Sequence, residues 1–392
     1  MIGEIDTPSD SEFRGNLRTF LRENHPGKRP QGSAERLEWS RRWAAVLADR
    51  GYAAPGWPKR WGGMELSLSN QLVYHEEMAQ AGLKPHPRNG VFTVGPVLMQ
   101  HGTVEQCERF LGPMLRADEL WCQGFSEPNA GSDLLALRTR AVRDGDEYIV
   151  NGQKIWTSRA DTSDWMYALV RTGTQSSRQN GLSYLLIDMR SLGIDVRPIG
   201  DMTGTARFCE TFFQDVHVPV SNRVGLENEG WAVARATLGH ERSTAFVGHV
   251  IQYRKVLDEL EQLAKELGSN SDPILRQEFA YLESAVLIMR LNGLRVFGSV
   301  TRQVDPGPIS SISRLFLGQF EKRLHEVAMG VIGAYGLVGR GDPLSIQRGR
   351  WVWGFLSTRG STIGAGTAEI QRNTLGERVL GLPGDPGMPN AD

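Results

Sequence analysis

The spacing of apolar residues changes twice along the chain and divides it into three parts. Up to about residue 120 the spacing is that of amphipathic helices, with apolar residues at i, i+4, i+7 and i+8. Two sets show it, one being Phe13, Leu17, Phe20 and Leu21 and the other Trp39, Trp43, Val46 and Leu47. Gly51 then ends the second helix. We predict that these aromatic residues belong to the core of a helical domain.

From about Trp121 the apolar period becomes two, which is typical of β-strands. Residues 147–150 and 154–157 flank Asn151-Gly152, a dipeptide that favours a tight hairpin turn. Further strands are predicted over residues 165–171, 182–188 and 208–218. Together these segments predict a small β-barrel or sandwich.

Helical spacing returns at about residue 229 and continues to about residue 380, with one break over residues 268–273. The chain is therefore predicted to be an α+β protein with three domains. These are an N-terminal helical domain (1–120), a middle β domain (121–228) and a C-terminal helical bundle (229–382), followed by a flexible tail (383–392).

The overall composition indicates an ordinary globular protein. The 392 residues are 40% hydrophobic with a formal net charge of −1, which provides no basic field for nucleic acid. The sequence has no run of about 18 apolar residues and no signal-peptide pattern, so we expect neither a membrane span nor secretion. Cys107, Cys122 and Cys209 lack metal-ligand spacing. We expect no metal site, and reduced, mostly buried thiols in a cytoplasmic protein.

Residues 124–133, GFSEPNAGSD, combine small residues, a proline and a row of N–H and hydroxyl donors. Small residues allow the backbone to approach a ligand closely, and the donors suit the polar edge of a cofactor. A solvated turn between two elements is the alternative interpretation, since most clusters of Gly, Pro, Asn and Ser are loops.

This stretch resembles the first signature of the acyl-CoA dehydrogenases, flavoenzymes that form the α,β double bond of acyl-CoA thioesters. Residues 361–372, STIGAGTAEIQR, resemble the second signature. The resemblance covers nearly the whole chain, and its motifs follow the family order. It implies the family's sequence of helical domain, β domain and helical bundle, with FAD bound between the last two.

The resemblance also assigns contacts to FAD. Trp156 and Ser158 match the family's Trp-x-Thr/Ser element, in which a tryptophan lies beside the isoalloxazine ring and a hydroxyl reaches its N5 edge. Ordinary packing within the sheet is the alternative for Trp156. The remaining contacts implied by the resemblance are Phe125 and Ser126 at the flavin ring, Gly131 and Ser132 near the phosphates of FAD or CoA, and Thr367 at the cofactor.

The family reaction needs a base for the α-proton while hydride passes from the β-carbon to flavin N5, and fixed donors for the thioester oxygen. The common family tail reads Tyr-Glu-Gly-Thr with Glu as the base, whereas this chain has Ala365, which keeps only its backbone N–H. In isovaleryl-CoA-type members the base lies on a bundle helix before an arginine. That resemblance assigns the base to Glu241, with Arg242 supporting the CoA side or the helix start. A surface charge pair is the alternative.

Two further family groups are missing from their expected positions. Leu267 stands where family homotetramers carry an arginine for a neighbour's FAD pyrophosphate, and Gly330 where they carry a glutamine for the adenine end. A buried pyrophosphate without such partners is unfavourable. We therefore expect a heterotetramer, most simply α₂β₂, with a homologous subunit that supplies them. This resembles bacterial pairs acting on steroid side-chain CoA thioesters. A homotetramer with a differently built adenine site is the alternative.

The resemblance thus implies an FAD-dependent dehydrogenase subunit that acts on an acyl-CoA and passes electrons to an electron-transfer flavoprotein. Two other functions remain open at this point. One is an acyl-CoA oxidase, in which O₂ accepts the electrons, and the other is a non-catalytic partner that stabilises an active homologue. The missing carboxylate at Ala365 favours the non-catalytic partner, whereas Glu241 opposes it.

Overall fold

A computed structural model describes residues 7–84, 86, 87, 89–240, 246–302, 304 and 309–384. The chain divides into two compact units after residue 241. The first unit combines helices with a mixed sheet, and the second is helical. The predicted α+β class, with helices before and after a β region, is confirmed. The predicted domain boundaries at residues 120 and 228 stay predictions.

Five helices precede the sheet: α1 (Pro8–Asn24), α2 (Ser33–Ala48), α3 (Leu68–Gln80), α4 (Val94–His101) and α5 (Val104–Leu115). The local sequence explains where several of these helices begin. Thr7, Ser67 and Thr103 cap α1, α3 and α5, because each side-chain oxygen accepts a backbone N–H three residues ahead. The predicted helical core is confirmed, and its buried members are Leu17, Phe20, Leu21, Trp43 and Leu47.

A buried ion cluster joins α1 to α3. Arg14 Nη1 lies 2.9 Å from a carboxylate oxygen of Glu76 and 2.6 Å from one of Glu77. Arg18 Nε adds a second contact to Glu77 at 2.8 Å. Because buried charges are tolerated only when they are paired, this cluster fixes the relative position of the two helices.

The sheet contains eight described strands: β1 (Trp121–Gly124), β2 (Arg140–Asp144), β3 (Glu147–Ser158), β4 (Trp165–Arg171), β5 (Leu182–Asp188), β6 (Ile194–Ile199), β7 (Phe208–Pro219) and β8 (Arg223–Val224). Their order is β6-β7-β3-β2-β4-β5-β8, with β1 parallel to β4. Helix α6 (Gly230–His240) follows β8 within the first unit.

Strand β4 shows how the sheet separates two apolar layers. Its residues Trp165, Tyr167 and Leu169 belong to the core shared with the N-terminal helices. The alternate residues Met166, Ala168 and Val170 belong to a second core formed by the sheet itself. Successive side chains of a strand point to opposite faces, so a strand buried on both faces is apolar throughout.

The predicted hairpin turn at Asn151-Gly152 is wrong. Strand β3 runs through both residues, and the turn lies earlier, where β2 and β3 pair from Asp144 and Glu147. The register shifts between Val150 and Gly152 and leaves one extra residue on β7, so the dipeptide lies opposite a bulge in that strand. Gly152 is required there, because a Cβ would lie 2.7 Å from the Thr139 Cα. The Asn-Gly signal therefore marked an irregularity in the pairing of β3 with β7.

The second unit consists of α7 (Phe246–Glu266), α8 (Pro273–Thr301), α9 (Ile309–Ile332), α10 (Arg350–Ser357) and α11 (Ala368–Arg378). The predicted break over residues 268–273 separates α7 from α8. Leu257, Leu260, Leu282, Leu324 and Trp351 lie in its core. Among the described residues, no helix has both the length and the apolar composition that crossing a bilayer requires. The three cysteines are free and buried, as predicted.

Candidate active site

The loop at residues 124–133 begins where β1 ends. Glu127 and Ala130 exchange two backbone hydrogen bonds of 3.0 Å, which close a tight turn over Pro128 and Asn129. The turn leaves Gly131 and Ser132 exposed after it. The first-signature loop is therefore a defined turn with an exposed polar end.

Lys154 and Glu127 form a fully buried brace beneath this loop. Lys154 is 0% exposed, and its Nζ donates to Glu127 Oε1 at 2.8 Å, to the Phe125 carbonyl at 3.1 Å and to the Leu169 carbonyl at 2.7 Å. The Glu127 carboxylate also accepts the backbone N–H groups of residues 138 and 139, at 2.7 and 2.9 Å. Every donor of the ammonium has an acceptor, so the brace ties the loop to β3 and β4.

The pKa of Glu127 reflects this environment. Burial acts to raise that pKa, but the charge of Lys154 and the hydrogen bonds from Lys154, Thr139 and Arg138 outweigh burial and hold it below its usual value. Burial lowers the pKa of Lys154, and the Glu127 charge opposes that shift. With three acceptors around Nζ, the two groups form an ion pair. Glu127 is therefore a structural carboxylate, already committed to three partners, namely Lys154 and the backbone N–H groups of residues 138 and 139.

A bulge in β3 holds Trp156 away from the sheet. The pairing of Lys154 with Thr211 and of Thr157 with Cys209 leaves one extra residue on β3. Trp156 has φ of 60°, is 56% exposed, and meets Phe208 edge-on with ring centroids 6.0 Å apart. A bulky residue with positive φ is an outlier, and such strain is found at functional sites. The alternative that Trp156 simply packs within the sheet does not fit its exposure.

The bulge is bonded directly to the first-signature loop. The Ile155 N–H donates to the Ser126 carbonyl at 2.9 Å, next to the bond from Lys154 to the Phe125 carbonyl. Ser158 is exposed on the same side of β3 as Trp156. The structure thus brings together Ser126, Trp156 and Ser158, which the sequence placed about 30 residues apart.

The side chain of Phe125 does not lie where the predicted contact with the flavin ring would need it. Its ring is buried and packs edge-on against Tyr167 and Tyr184, with centroids 6.0 and 6.1 Å away. Its carbonyl is bound by Lys154. The Phe125 side chain therefore belongs to the core under the loop, and a contact from this residue to a cofactor would have to come from its backbone.

In the second unit, residues 363–367 form an exposed turn between α10 and α11. Ala365 has φ of 54°, a conformation that costs an L-residue about 1–2 kcal/mol. Arg314 Nη2 donates to the Gly364 carbonyl at 2.6 Å, and Gln371 Nε2 donates to the Ala365 carbonyl at 3.3 Å. Among the described residues, none accepts a hydrogen bond from the Ala365 N–H. The turn therefore presents a free backbone donor at the position predicted from sequence.

Thr367 is the N-cap of α11, because its Oγ1 accepts the Ile370 N–H at 3.2 Å. The pKa of the Glu369 carboxyl is lowered by its backbone N–H and by the Thr367 hydroxyl, so that hydroxyl already has a partner. The predicted cofactor contact of Thr367 stays a prediction.

The predicted base lies outside the described residues, as does Arg242. Helix α6 ends at His240, one residue before Glu241. The two positions of the missing family groups are described. Leu267 is exposed just after α7, and Gly330 lies in α9, where a Cβ would be 3.3 Å from Leu275 Cδ2. A side chain at residue 330 would therefore need Leu275 to shift.

Comparisons with known proteins decide the family. Models of the acyl-CoA dehydrogenase N-terminal, middle and C-terminal domains match residues 7–118, 122–216 and 228–380. Acyl-CoA dehydrogenase IpdE1 of Mycobacterium tuberculosis is 38% identical over 386 residues, which cover 95% of this chain and 97% of the relative. The chain belongs to the acyl-CoA dehydrogenase family.

Solved structures of two heteromeric relatives resemble this acyl-CoA dehydrogenase over nearly its whole length. The ChsE4-ChsE5 complex from Mycobacterium tuberculosis matches with 31% identity and a TM-score of 0.82, covering 97% of this chain and 99% of the matched chain. The Tcur3481-Tcur3483 steroid acyl-CoA dehydrogenase matches with 29% identity and a TM-score of 0.84, with the same coverage.

Sequence reasoning missed three residues that organise these two regions of the acyl-CoA dehydrogenase, namely Lys154, Glu127 and Arg314. One signal was available for Lys154, a single charge within an apolar strand pattern, which predicts a buried partner. No sequence signal was available for Arg314, because it lies 50 residues before the Gly364 carbonyl that it binds.

Proposed function

We propose that this acyl-CoA dehydrogenase removes hydrogen from the α and β carbons of an acyl-CoA thioester with FAD as its cofactor. The observation that carries the proposal is the exposed ring of Trp156, which the bulge holds beside the first-signature loop. An indole fixed on a strand loses little entropy when it stacks on a planar ring, and it gains apolar burial. FAD, when bound, supplies the two-electron acceptor of the reaction.

The residues around Trp156 fit such a cofactor. Ser158 offers a hydroxyl to the polar edge of the ring, and Ser126 offers a second hydroxyl, since only its carbonyl is bound to Ile155. Gly131 and Ser132 offer exposed donors to phosphate oxygens. Phe125 orders the loop from below. In the second unit, we assign Thr367 a separate contact to the cofactor.

The proton chemistry is assigned to Glu241. Its carboxylate removes the α-proton, and Arg242 binds the CoA side of the substrate. The negative charge that develops on the thioester oxygen is stabilised by the Ala365 N–H, which no described residue accepts. A preorganised donor of this kind acts where charge develops, so it stabilises the transition state more than the bound substrate.

Replacing Trp156 with Ala is expected to weaken FAD binding about tenfold, because the stacking surface is lost. The free energy of unfolding of the free chain should change little, since the ring is more than half exposed. FAD titration of the stripped protein measures the affinity. Trp156→Phe keeps part of the stacking area, so its affinity for FAD should lie between those of the wild type and the alanine variant. Unchanged affinity in the alanine variant would show that FAD binds elsewhere.

We propose further that the active assembly is a heterotetramer with a homologous subunit. The chain has Leu267 and Gly330 where the family donates an arginine and a glutamine to a neighbour's FAD. The tight contact of residue 330 with Leu275 fits a position that does not reach a cofactor. The two relatives named above are complexes of two different proteins, and this supports the same arrangement here.

Helix α8 offers a surface for that partner. Tyr281, Ile288 and Leu291 are exposed and lie at i, i+7 and i+10, so they share one side of the helix. An exposed row of large apolar side chains marks an interaction surface. We assign this face to the homologous subunit.

Expression of the chain alone and with a homologous partner tests the proposed assembly. The co-purified complex should contain about half as many FAD molecules as chains, because only one of the two subunit types donates the missing groups. The chain alone should bind FAD weakly and have little dehydrogenase activity. One FAD per chain with full activity in the absence of a partner would contradict the heterotetramer.

The substrate class assigned here is a bulky acyl-CoA, with a steroid side-chain thioester as the first candidate. One structural relative is named a steroid acyl-CoA dehydrogenase. At the tail turn, Gly364 and Ala365 are small, and a Cβ at Gly364 would meet no atom within 4 Å. A panel of straight-chain, branched and steroid acyl-CoA thioesters should give the highest kcat/KM with the steroid members.

The electron acceptor and the catalytic status of the chain have defined alternatives. We assign an electron-transfer flavoprotein as acceptor, and peroxide formation during aerobic turnover would instead identify an oxidase.

Ala365 in place of the family glutamate favours a non-catalytic partner subunit. Anaerobic bleaching of the flavin by acyl-CoA, lost when Glu241 is replaced, would exclude that second function.

A further inference from the structure

Arg314 makes an unusual contact with the tail turn. It lies in the second turn of α9, and its Nη2 donates to the Gly364 carbonyl at 2.6 Å. Its Nε is buried without a hydrogen-bond acceptor among the described residues, and no described carboxylate forms an ion pair with it. Among the described residues, the Gly364 carbonyl is therefore the one group that accepts a hydrogen bond from this guanidinium.

That carbonyl and the Ala365 N–H belong to the same peptide unit. A trans peptide is planar, so its C=O and N–H point in opposite directions. Holding the Gly364 oxygen in one place therefore fixes the direction of the Ala365 N–H. A cation on the oxygen also polarises the peptide and makes the N–H a stronger donor.

Three other contacts hold the turn in place, but they involve groups outside the peptide that joins Gly364 to Ala365. Gln371 binds the following carbonyl, and Thr367 starts α11. Gly318 lets α9 approach the segment before the turn, because a Cβ there would lie 2.7 Å from the Ser361 carbonyl oxygen. These contacts hold the two ends of the turn to α9 and α11. Arg314 is the described side chain that binds the peptide carrying the free donor.

We propose that Arg314 is a positioning residue that orients and polarises the Ala365 N–H toward the thioester oxygen of the acyl-CoA substrate. This inference rests on the proposed function above, in which that N–H stabilises the developing negative charge. Without the guanidinium the donor remains, but its peptide can rotate within the turn and its polarisation is lost. Loss of the guanidinium should therefore raise the energy of the transition state and reduce the polarisation of the bound thioester carbonyl.

The test uses the FAD-loaded complex and a chromophoric aryl-enoyl thioester, 4-dimethylaminocinnamoyl-CoA. The absorption of this probe moves to longer wavelength when its carbonyl oxygen is polarised, so it reports on the donor without turnover. We expect a red shift with the wild-type complex, a much smaller one with Arg314→Met, and an intermediate one with Arg314→Lys. Lysine keeps the charge but has no planar fork to fix the carbonyl.

Steady-state kinetics give the second readout. Loss of a whole oxyanion donor lowers kcat by about 10²- to 10³-fold, and Arg314→Met keeps the donor, so we expect kcat to fall about 10- to 100-fold. KM for the acyl-CoA should change less than threefold, because the interaction grows as charge develops. The matched control is Arg323→Met on the same helix, about 13 Å further along, which loses ion-pair contacts to Glu278 and Glu326. It should keep both the red shift and kcat.

Several outcomes decide the proposal. A red shift and a kcat in Arg314→Met that equal those of the Arg323→Met control would overturn it. If Arg314→Met does not assemble with FAD, Arg314→Lys takes its place, and an unchanged red shift in that variant overturns the proposal as well. If the wild-type complex gives neither flavin bleaching by acyl-CoA nor a red shift, the proposed function fails instead. The two failures are therefore distinguishable.

Discussion

Replacement of Glu241 by Gln is expected to lower kcat for dehydrogenation by about 10²- to 10⁴-fold while FAD stays bound. The reason is that the chain has Ala365 at the position where the common family tail carries its base, so no carboxylate remains there. Glutamine is close to glutamate in shape but cannot accept the α-proton at neutral pH. Anaerobic stopped-flow bleaching of the flavin measures this step directly, and the flavin absorbance before mixing measures FAD content.

The matched control for this variant is Glu266→Gln, which changes an exposed carboxylate near the end of α7. It should bleach at the wild-type rate. Bleaching at the wild-type rate in Glu241→Gln would mean that another group takes the proton. In that case the assignment of the base, and with it the isovaleryl-CoA-type arrangement, would be wrong.

Replacement of Lys154 by Met should lower the free energy of unfolding by about 3–5 kcal/mol, because Glu127 would be left as a buried charge without its partner. The loss should also release the Phe125 carbonyl and loosen the first-signature loop, since Lys154 binds both. Urea unfolding measures the stability, and hydrogen exchange of residues 124–133 measures the loop. Lys59→Met, on an exposed lysine of the same unit, should leave both unchanged.

The pH dependence of this variant has a definite sign. In the wild-type chain the folded-state pKa of Glu127 is lowered, so its contribution to stability is present above the unfolded pKa of about 4.3 and is lost as the pH falls through the folded value. Without Lys154, burial is opposed mainly by the hydrogen bonds from residues 138 and 139, so the pKa of the Glu127 carboxyl rises above its wild-type value. The stability deficit of Lys154→Met should then shrink as the pH falls and Glu127 becomes neutral.

The double variant Glu127→Gln/Lys154→Met separates the ion pair from general disruption. Removing both charges should recover part of the lost stability, since the unpaired carboxylate is gone. A double variant that is as unstable as the sum of the two single variants would show that the groups act independently. The interpretation of residues 127 and 154 as one brace would then fail.

The fold was predictable where the local pattern and the tertiary environment agree. Strands β4 and β5 have the bounds that the sequence predicted, because their residues are apolar on both faces and both faces are buried. The break between α7 and α8 was also predictable. Asp272 caps α8 and Pro273 begins it, and both are local signals.

Prediction failed where a local signal has two possible uses. Asn151-Gly152 suits a hairpin turn, but it also suits a position opposite a β-bulge, where a Cβ at residue 152 would be too close to Thr139 on a neighbouring segment. The packing of the Phe125 ring was not predictable either, because Tyr167 and Tyr184 lie far from it in the sequence and place it in the core. The flavin contact that the resemblance implies for Phe125 stays a prediction.

The sequence alone determined the succession of helices, sheet and helices, the family, and the positions where family groups are replaced, such as Ala365 and Gly330. These follow from periodicity and from motif order, which are properties of neighbouring residues. The tertiary structure alone decided that Lys154 is buried against Glu127 and that Arg314 binds the Gly364 peptide. Such contacts join residues far apart in the chain, so they form only when folding brings the partners together. Burial then strengthens the Lys154–Glu127 pair, whereas the Arg314 contact depends on the fold placing α9 beside the exposed tail turn.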